Sequence, residues 1–441
     1  MRNRKHKLIS MIMVTTFLTL SLYGCGTKSS NEVESKANDA KDVTTAAVET
    51  ETDITAVDVA VTEPVTIKFW HTYGDVEEAA FLNNVMPLWN KLYPNITVEA
   101  VRQDSSNYHE MIVTGFGTGD VPDVARIDIV NTAAYAAQGG LVALDGFEDF
   151  ATVSATCLAG PLSTSLYKGH YYALPLDTNC KSAVINMNKL KEIGLTEVPV
   201  TLEEFIAAAD GYGSYLLSVS GVGGWDLYPY FWLFGGSITD DGYTTATGYL
   251  NSEESIAAVN TMLDLHKKGI FTIRDIDGTV DAWDGISSGE FAMFFEGPWY
   301  FSSYADSLAA GIVPATIPTY NGRSASVVGG ENIAVFSTSK NQEAAYLFAK
   351  FMLSEEAQLA MLEVGQLPVL SSLVDNAKVL ENPVWSVYMK QMESAMTRTP
   401  SPNSSTIDQI WSDAMTNIFS AGADVTEELN NAATLMDEQL K

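Results

Sequence analysis

The fold class follows from three strand-like runs in the first third of the chain: Thr66-Ile67-Lys68-Phe69-Trp70, Ile96-Thr97-Val98-Glu99-Ala100 and Val124-Ala125-Arg126-Ile127-Asp128-Ile129. Between the first two runs, apolar residues recur three or four positions apart from Phe81 to Leu92, and this spacing predicts a helix. A second helix is predicted over Tyr108–Phe116. Alternating strands and helices indicate an α/β body with a largely parallel sheet.

The whole chain is long and acidic. Its 441 residues include 55 acidic against 25 basic side chains, and the formal charge is −30. This length predicts two lobes rather than one core. The charge argues against a nucleic-acid partner, because phosphate binding needs a positive field. With only three cysteines and five histidines, a multi-cysteine metal or disulfide framework is excluded.

The N-terminus carries the features of an export signal. A basic head, Met1–Lys7, precedes an apolar run that is short for a membrane span. The run ends in Leu22-Tyr23-Gly24-Cys25, which resembles the lipobox of bacterial lipoproteins. We therefore predict a signal peptide over 1–24 and lipidation of Cys25, the alternative being an ordinary secreted protein. Pairing of the other two cysteines, Cys157 and Cys180, stays open.

The segment that follows Cys25 predicts a tether. Residues 26–63 hold nine acids, three lysines and no aromatic residue. Such a composition cannot bury enough apolar surface to fold by itself. We interpret 25–63 as a lipidated cysteine and a disordered acidic tether, which places the protein on the outer face of the bacterial cytoplasmic membrane, with membrane contact through the lipid only.

Catalytic and metal motifs yield no candidate. Gly285-Ile286-Ser287-Ser288-Gly289 matches a hydrolase pattern, but a strand-like run follows the serine where a nucleophile turn needs a helix. The histidines are scattered, and no phosphate-binding loop occurs. We predict no catalytic residue, metal site or cofactor, although a glycosidase-like pair of carboxylates remains an open alternative.

Tryptophans are the most informative residues. Two of the eight, Trp89 and Trp411, lie in helical patterns and are interpreted as core. Six lie beside glycine, proline or acidic residues in predicted turns, where an indole with polar neighbours suits the apolar face and hydroxyl edge of a sugar; they are Trp70, Trp225, Trp232, Trp283, Trp299 and Trp385.

From Thr66 onward the chain resembles extracellular solute-binding protein family 1, the sugar-binding lipoproteins of ABC importers. The resemblance rests on the order and spacing of short segments, namely Ile67-Lys68-Phe69-Trp70-His71, Pro122-Asp123-Val124, Tyr172-Ala173-Leu174-Pro175, Ile185-Asn186-Met187-Asn188-Lys189-Leu190, Ser288-Gly289-Glu290-Phe291-Ala292-Met293, Gly297-Pro298-Trp299, Val328-Gly329-Gly330-Glu331-Asn332 and Ser354-Glu355-Glu356-Ala357-Gln358.

The resemblance implies a two-lobed, type II periplasmic-binding-protein-like α/β fold with hinge strands and a central ligand cleft. Lobe 1 would comprise 64–178 and 319–370, and lobe 2 would comprise 179–318 and 371–441. The chain would cross between them near Asp177-Thr178-Asn179 and Ile317-Pro318.

The resemblance also implies a set of ligand contacts. Trp299 matches a sugar-stacking position, and Asn179 matches a polar contact after the first crossing. Arg398 either touches ligand or braces its loop. The full set, with the loop tryptophans, is Trp70, His71, Asp128, Asp177, Asn179, Trp225, Trp232, Trp299, Gly330, Glu331 and Arg398.

The implied function is capture of a mono- or oligosaccharide by hinge closure and delivery to ABC permease subunits. We expect a monomer that is not an enzyme. Two alternatives stay open: a related binder of a peptide, polyamine or anion, and a lipid-anchored glycoside hydrolase.

Overall fold

The computed structural model of the protein describes residues 63–441. The predicted signal peptide, Cys25 and the tether up to residue 62 lie outside these residues. The strands of the described part are β1 Val65–His71, β2 Ile96–Arg102, β3 Val124–Asp128, β4 Leu166–Tyr167, β5 His170–Tyr171, β6 Leu174–Cys180, β7 Ser182–Asn186, β8 Leu217–Val219, β9 Phe271–Ile273, β10 Met293–Glu296, β11 Ile312–Ala315, β12 Ser326–Val335 and β13 Ala395–Met396.

Helices connect these strands. They are α1 Asp75–Ala80, α2 Met86–Leu92, α3 Tyr108–Thr118, α4 Thr132–Ala137, α5 Phe150–Ser154, α6 Ala159–Ser163, α7 Met187–Glu192, α8 Leu202–Ala209, α9 Gly224–Leu233, α10 Glu253–Lys267, α11 Arg274–Asp277, α12 Ala282–Ser288, α13 Trp299–Ser303, α14 Gln342–Phe351, α15 Glu355–Leu362, α16 Ala377–Leu380, α17 Trp385–Gln391, α18 Ser404–Ala421 and α19 Val425–Gln439. A π-helical turn, Phe81–Val85, joins α1 to α2.

The first sheet contains the three strands predicted from sequence. β1 lies between β2 and β3 and runs parallel to both. β12 runs antiparallel to β3 and to β6, and parallel to the short β13. The three strands and the helix at Tyr108 are confirmed, but the prediction of a largely parallel sheet is wrong. The sheet is mixed because β12 and the short β13, which come late in the chain, run opposite to β1, β2, β3 and β6.

The second sheet has the strand order β11-β7-β10-β8-β9 and is mixed as well. β8 runs parallel to β9 and β10, whereas β7 runs antiparallel to β10 and β11. Its side chains alternate between two apolar clusters, so that Met293 and Phe295 face one cluster and Phe294 faces the other. This period-2 alternation is what a sheet covered on both faces requires.

Each sheet has its own core, so the described chain forms two bodies. In the first sheet, Phe69, Val124 and Ile333 face a core closed by α14 and α15. The opposite face packs against a smaller cluster around Tyr135. In the second sheet, α18 and α19 complete the main core through Trp411 and neighbouring apolar residues.

The chain passes between the two bodies at several points. It leaves the first sheet at Cys180 and enters the second at Ser182, and it returns between Ala315 and Ser326. After α15 the chain packs α17 against the second sheet, pairs β13 with β12 of the first sheet, and reaches the second core at α18. The lobe boundaries given above remain predictions.

Candidate functional site

One face of the first sheet turns polar where the chain crosses to the second body. Residues that are directly opposite on antiparallel strands share a face, and Glu331 lies opposite both Asp128 and Asp177. Two positions along, Gly329 lies opposite Asn179. These polar residues therefore lie on the same face of the sheet as Phe69 and Ile333, at the end where the chain crosses to the second body.

At the base of this face, Arg126 holds two carboxyl groups together. Its Nη2 lies 2.8 Å from Oε2 of Glu331, and its Nε lies 3.6 Å from Oδ2 of Asp177. Its Nη1 also donates to Oγ1 of Thr72, at 2.8 Å. Burial raises the pKa of Asp177 and raises that of Glu331 well above its usual value, and the second carboxyl adds to the rise at Glu331. Burial therefore disfavours the charged form of both carboxyl groups, and the guanidinium of Arg126 opposes this effect at each of them.

Gly330 has a backbone role in this arrangement. Its φ of +124° lies in the region that favours glycine, and an added Cβ would lie 2.5 Å from the carbonyl oxygen of Asp177. The pairing of β12 with β6 shifts register between Glu331 and Asn332. A glycine therefore lets the two strands approach closely where the polar cluster forms.

Two indoles from the second body lie beside the polar face. Trp225 is in the first turn of α9, and Trp299 begins α13 after the turn Gly297-Pro298. Their ring centroids are 5.9 Å apart and their planes differ by 26°, so the rings stack. Both side chains are partly exposed. This indole pair presents aromatic surface next to carboxyl, amide and guanidinium groups.

Two cations surround Trp225. Nζ of Lys181 lies 5.2 Å from the centre of the indole and donates to Oδ1 of Asp226 at 2.6 Å. Cζ of Arg398 lies 5.7 Å from the same ring, and its Nη2 donates to Oδ1 of Asp128 at 3.3 Å. Contacts of this kind attract a cation to the electron-rich ring face. Lys181 and Arg398 therefore hold Trp225 in place.

Gly329 joins the polar face to the indole pair. A Cβ at this position would lie 2.2 Å from Oδ1 of Asn179 and 2.7 Å from Cζ3 of Trp225. Asn179 is buried, and its Oδ1 accepts no hydrogen bond in the described structure. An unpaired buried acceptor is costly unless a ligand or water supplies a donor.

We predict that Gly329→Ala weakens binding of a ligand in this region about tenfold, because the methyl group must displace Asn179 or Trp225. Forced overpacking typically costs 1–3 kcal/mol, and about 1.4 kcal/mol is a tenfold change. Isothermal titration calorimetry measures the effect. Gly117→Ala is the matched control, since a Cβ there meets open space. Equal affinities of the two variants would contradict the prediction.

Of the predicted contacts, the structure gathers Asp128, Asp177, Asn179, Trp225, Trp299, Gly330, Glu331 and Arg398 in one region. It buries Trp70, His71 and Trp232 elsewhere. Trp70 points to the opposite face of β1, beside Tyr108 and Ile112. Trp232 lies seven residues beyond Trp225, about 10 Å along the α9 axis, and packs on Tyr228.

His71 is fully buried among aromatic rings. Its ring centroid lies 5.5 Å from that of Phe69 and 5.0 Å from that of Tyr73, and neither ring nitrogen has a hydrogen-bond partner in the described structure. Burial and the positive charge of Arg126 lower its pKa from 6.5 to about 4. The imidazole is therefore neutral at neutral pH and serves as part of the core.

The lowered pKa of His71 predicts that the folded protein loses stability in acid. Between pH 6.5 and about 4, the unfolded chain binds a proton at His71 that the folded chain does not, so stability is lost as pH falls through this range. We expect the wild type to lose about 1–2 kcal/mol more than His71→Phe between pH 6.5 and 5. Urea unfolding of both proteins at several pH values measures the difference, and parallel pH profiles would refute it.

Sequence reasoning missed three charged members of this region: Arg126, Asp226 and Glu296. Glu296 ends β10, accepts from Nε1 of Trp283 at 2.8 Å, and has a pKa raised by burial. A usable signal existed for Arg126, because a charge inside the buried run Val124–Asp128 needs partners. The signal for Glu296 was its place between a buried strand and the Gly297-Pro298 turn.

The remaining motifs behave as structural elements. Ser287 lies in α12, Gly289 closes that helix with φ +81°, and β10 follows, so the order is the reverse of a nucleophile turn, as predicted. Cys157 and Cys180 are both buried free thiols. Within residues 63–441, no cluster of three potential metal ligands is found, and no helix is long and apolar enough to span a membrane.

The sequence matches the family described as bacterial extracellular solute-binding protein over residues 89–384, more than half of the chain. The chain belongs to this family. The solute-binding protein is 25% identical over 248 residues to the maltotriose-binding protein of Pyrococcus abyssi (strain GE5 / Orsay); the match covers 54% of this chain and 52% of that protein. The chain thus spans about half the length of that relative.

Solved structures show the same two-lobed type II fold. The GacH receptor of Streptomyces glaucescens GLA.O, solved unliganded and with acarbose, has a TM-score of 0.76 at 23% identity, covering 86% of this chain and 98% of that one. Maltose-bound MalE3 of T. maritima has a TM-score of 0.74 at 21% identity, covering 85% and 99%. UgpB of Mycobacterium tuberculosis, in complex with glycerophosphocholine, has a TM-score of 0.72 at 22% identity, covering 85% and 98%. Because the solutes of these proteins differ, the fold does not select the solute.

Proposed function

We propose that this protein is the lipid-anchored, extracellular solute-binding component of an ABC importer, and that it captures a mono- or oligosaccharide by hinge closure. The observation that carries the proposal is the indole pair, partly exposed and set beside buried polar groups. A sugar ring offers an apolar face to an indole and hydroxyl groups to the polar neighbours. The maltotriose, maltose and acarbose named for relatives agree with this chemistry.

In this proposal, Trp299 stacks on the sugar and Asn179 accepts a hydrogen bond from a hydroxyl. The unpaired Oδ1 of Asn179 supports its role as an acceptor. The Asp177–Glu331 pair shapes the base of the site, and Gly330 lets its strands approach. Trp70, His71 and Trp232 are left out, because each is buried away from the indole pair.

We further propose that residues 64–178 and 319–370 form lobe 1, and that 179–318 and 371–441 form lobe 2. The sheet changes at Cys180–Ser182 and Ala315–Ser326 support hinges there. A sugar that touches both lobes stabilises the closed form through contacts that the open form lacks. The closed monomer then delivers its sugar to the permease subunits, while the lipid on Cys25 keeps it at the membrane.

A thermal-shift series tests the function. The purified protein is heated with maltotriose, maltose, acarbose or glycerophosphocholine, the last as a solute of another class. A ligand at 100 times its Kd stabilises the native state by about 2.7 kcal/mol. We expect stabilisation by a saccharide, with the saccharide recovered intact by chromatography. Stabilisation by glycerophosphocholine alone would refute the sugar assignment, and cleaved saccharide would refute a pure binding role.

A further inference from the structure

Arg398 contacts both bodies of the protein. Its Nη2 lies 3.3 Å from Oδ1 of Asp128, which ends β3 in the first sheet. Its Cζ lies 5.7 Å from the ring of Trp225, which packs against the core of the second body. A residue placed in this way connects the relative position of the two bodies with the position of an indole in the site.

A second contact follows six residues later. Oγ of Ser404, the first residue of α18, donates to the carbonyl oxygen of Val130 at 2.9 Å. α18 itself belongs to the second body, because Trp411 lies in that core. We call residues 398–404 the strap. The strap touches the first body near the end of β3 at two polar points, Asp128 and Val130.

Between these points the strap spans a pocket of about 260 Å³. His109 and Asn131 line it from the first body, and Tyr228 and Asp408 line it from the second. The two polar contacts beside it can therefore break without exposing a packed apolar interface there. The side chain of Asp128 is 44% exposed, and ion pairs this exposed change an equilibrium constant by at most about fivefold. The strap contact is therefore readily reversible.

We propose that the strap is a latch across the cleft and that Arg398 is a positioning residue, coupling closure of the two bodies to the placement of Trp225. The proposal rests on the proposed function. When the bodies close, Arg398 forms an ion pair with Asp128, and this pair holds its guanidinium over the indole of Trp225. When they open, that pair is lost, and the indole is less firmly held against Trp299.

The charges around Arg398 separate its two roles. Asp408 also interacts with Arg398, and burial raises the pKa of Asp408. In Asp128→Asn, the guanidinium of Arg398 still interacts with Asp408 and Trp225, but it loses its ion pair with the first body. In Arg398→Met, both the tie and the contact with the indole are lost. The first variant therefore tests the latch, and the second tests the latch together with the positioning of Trp225.

The test compares these variants and their double mutant with the wild type. Calorimetry and stopped-flow tryptophan fluorescence with maltotriose give Kd and koff, and small-angle X-ray scattering gives the radius of gyration without sugar. We expect Asp128→Asn to raise Kd about two- to fivefold, mainly through koff. Arg398→Met should raise Kd by more than this. The double mutant should have the same Kd as Arg398→Met. The ligand-free radius of gyration should rise in all three.

Glu192→Gln is the matched control, since it breaks the pair of Glu192 and Lys189, 3.0 Å apart within α7 of the second body. Independent, multiplicative effects of the two latch variants, or an unchanged radius of gyration in Asp128→Asn, would overturn the proposal. If no saccharide binds the wild type but the radius of gyration still rises in Asp128→Asn, the sugar function fails and the latch stands.

Discussion

Trp299→Ala is expected to raise the Kd for the cognate sugar about 30- to 100-fold. The indole lies beside the polar face, partly exposed and stacked only on Trp225 among the aromatic contacts described. Removing an aromatic anchor at the centre of a binding site typically costs 2 kcal/mol or more, and each 1.4 kcal/mol is a tenfold change. Isothermal titration calorimetry with the sugar that gives the largest thermal shift measures the loss.

Two further variants separate stacking from general damage. Trp299→Phe keeps an aromatic face and should recover part of the affinity. Tyr249→Ala removes another partly exposed ring, outside the proposed site, and should leave affinity unchanged. Thermal midpoints of all variants report on folding. Wild-type affinity in a folded Trp299→Ala protein would refute the stacking role.

Arg126→Met is expected to lower the free energy of unfolding by about 3–5 kcal/mol at pH 7, the usual result of removing one partner from a buried ion pair. Arg126 is 5% exposed and supports Asp177, Glu331 and Thr72. Without the guanidinium, two buried carboxyl groups face each other with no cation beside them. Urea and thermal unfolding measure the change.

The pH dependence of this variant has a defined sign. Carboxyl groups whose pKa is raised by folding bind more protons in the folded chain, so stability falls as pH rises above their unfolded pKa. Loss of Arg126 raises these pKa values further, and the destabilisation should therefore be smaller at pH 5 than at pH 7. Arg274→Met, which breaks exposed pairs with Asp275 and Asp281, is the control and should cost about 0–1 kcal/mol. A similar small cost for Arg126→Met would contradict the prediction.

Local patterns predicted the elements better than their assembly. Alternation identified β1, and the apolar spacing from Phe81 identified a helix that Pro87 divides, with the proline in the first turn of α2. Strand direction was beyond these patterns, because hydrophobic periodicity is the same for parallel and antiparallel neighbours. β6, Leu174-Pro175-Leu176-Asp177-Thr178-Asn179-Cys180, is buried along its whole length although it is half polar, so composition did not mark it as a central strand.

The site was predictable where residues were tied to a motif. Trp299 follows a Gly-Pro turn and Asn179 lies in β6 just before the first crossing, and both lie in the gathered region. Trp70 and His71 are adjacent on β1 and point to opposite faces, and both faces are covered by core. No local pattern reveals what covers a face, because the covering residues belong to other elements, such as α3 over Trp70 and the π-helical turn at Phe81 beside His71.

β12 also constrains when the protein can finish folding. The edge of β3 that faces away from β1 is covered by Glu331–Val335, about two hundred residues later in synthesis. A chain that ends before β12 would leave that edge open to pairing with other chains. The second core cannot be completed until Trp411 and Met436 have been synthesised. Nascent chains of this protein therefore expose sheet edges and apolar surface until α19 has been made, and slow, late folding is the expected kinetic behaviour.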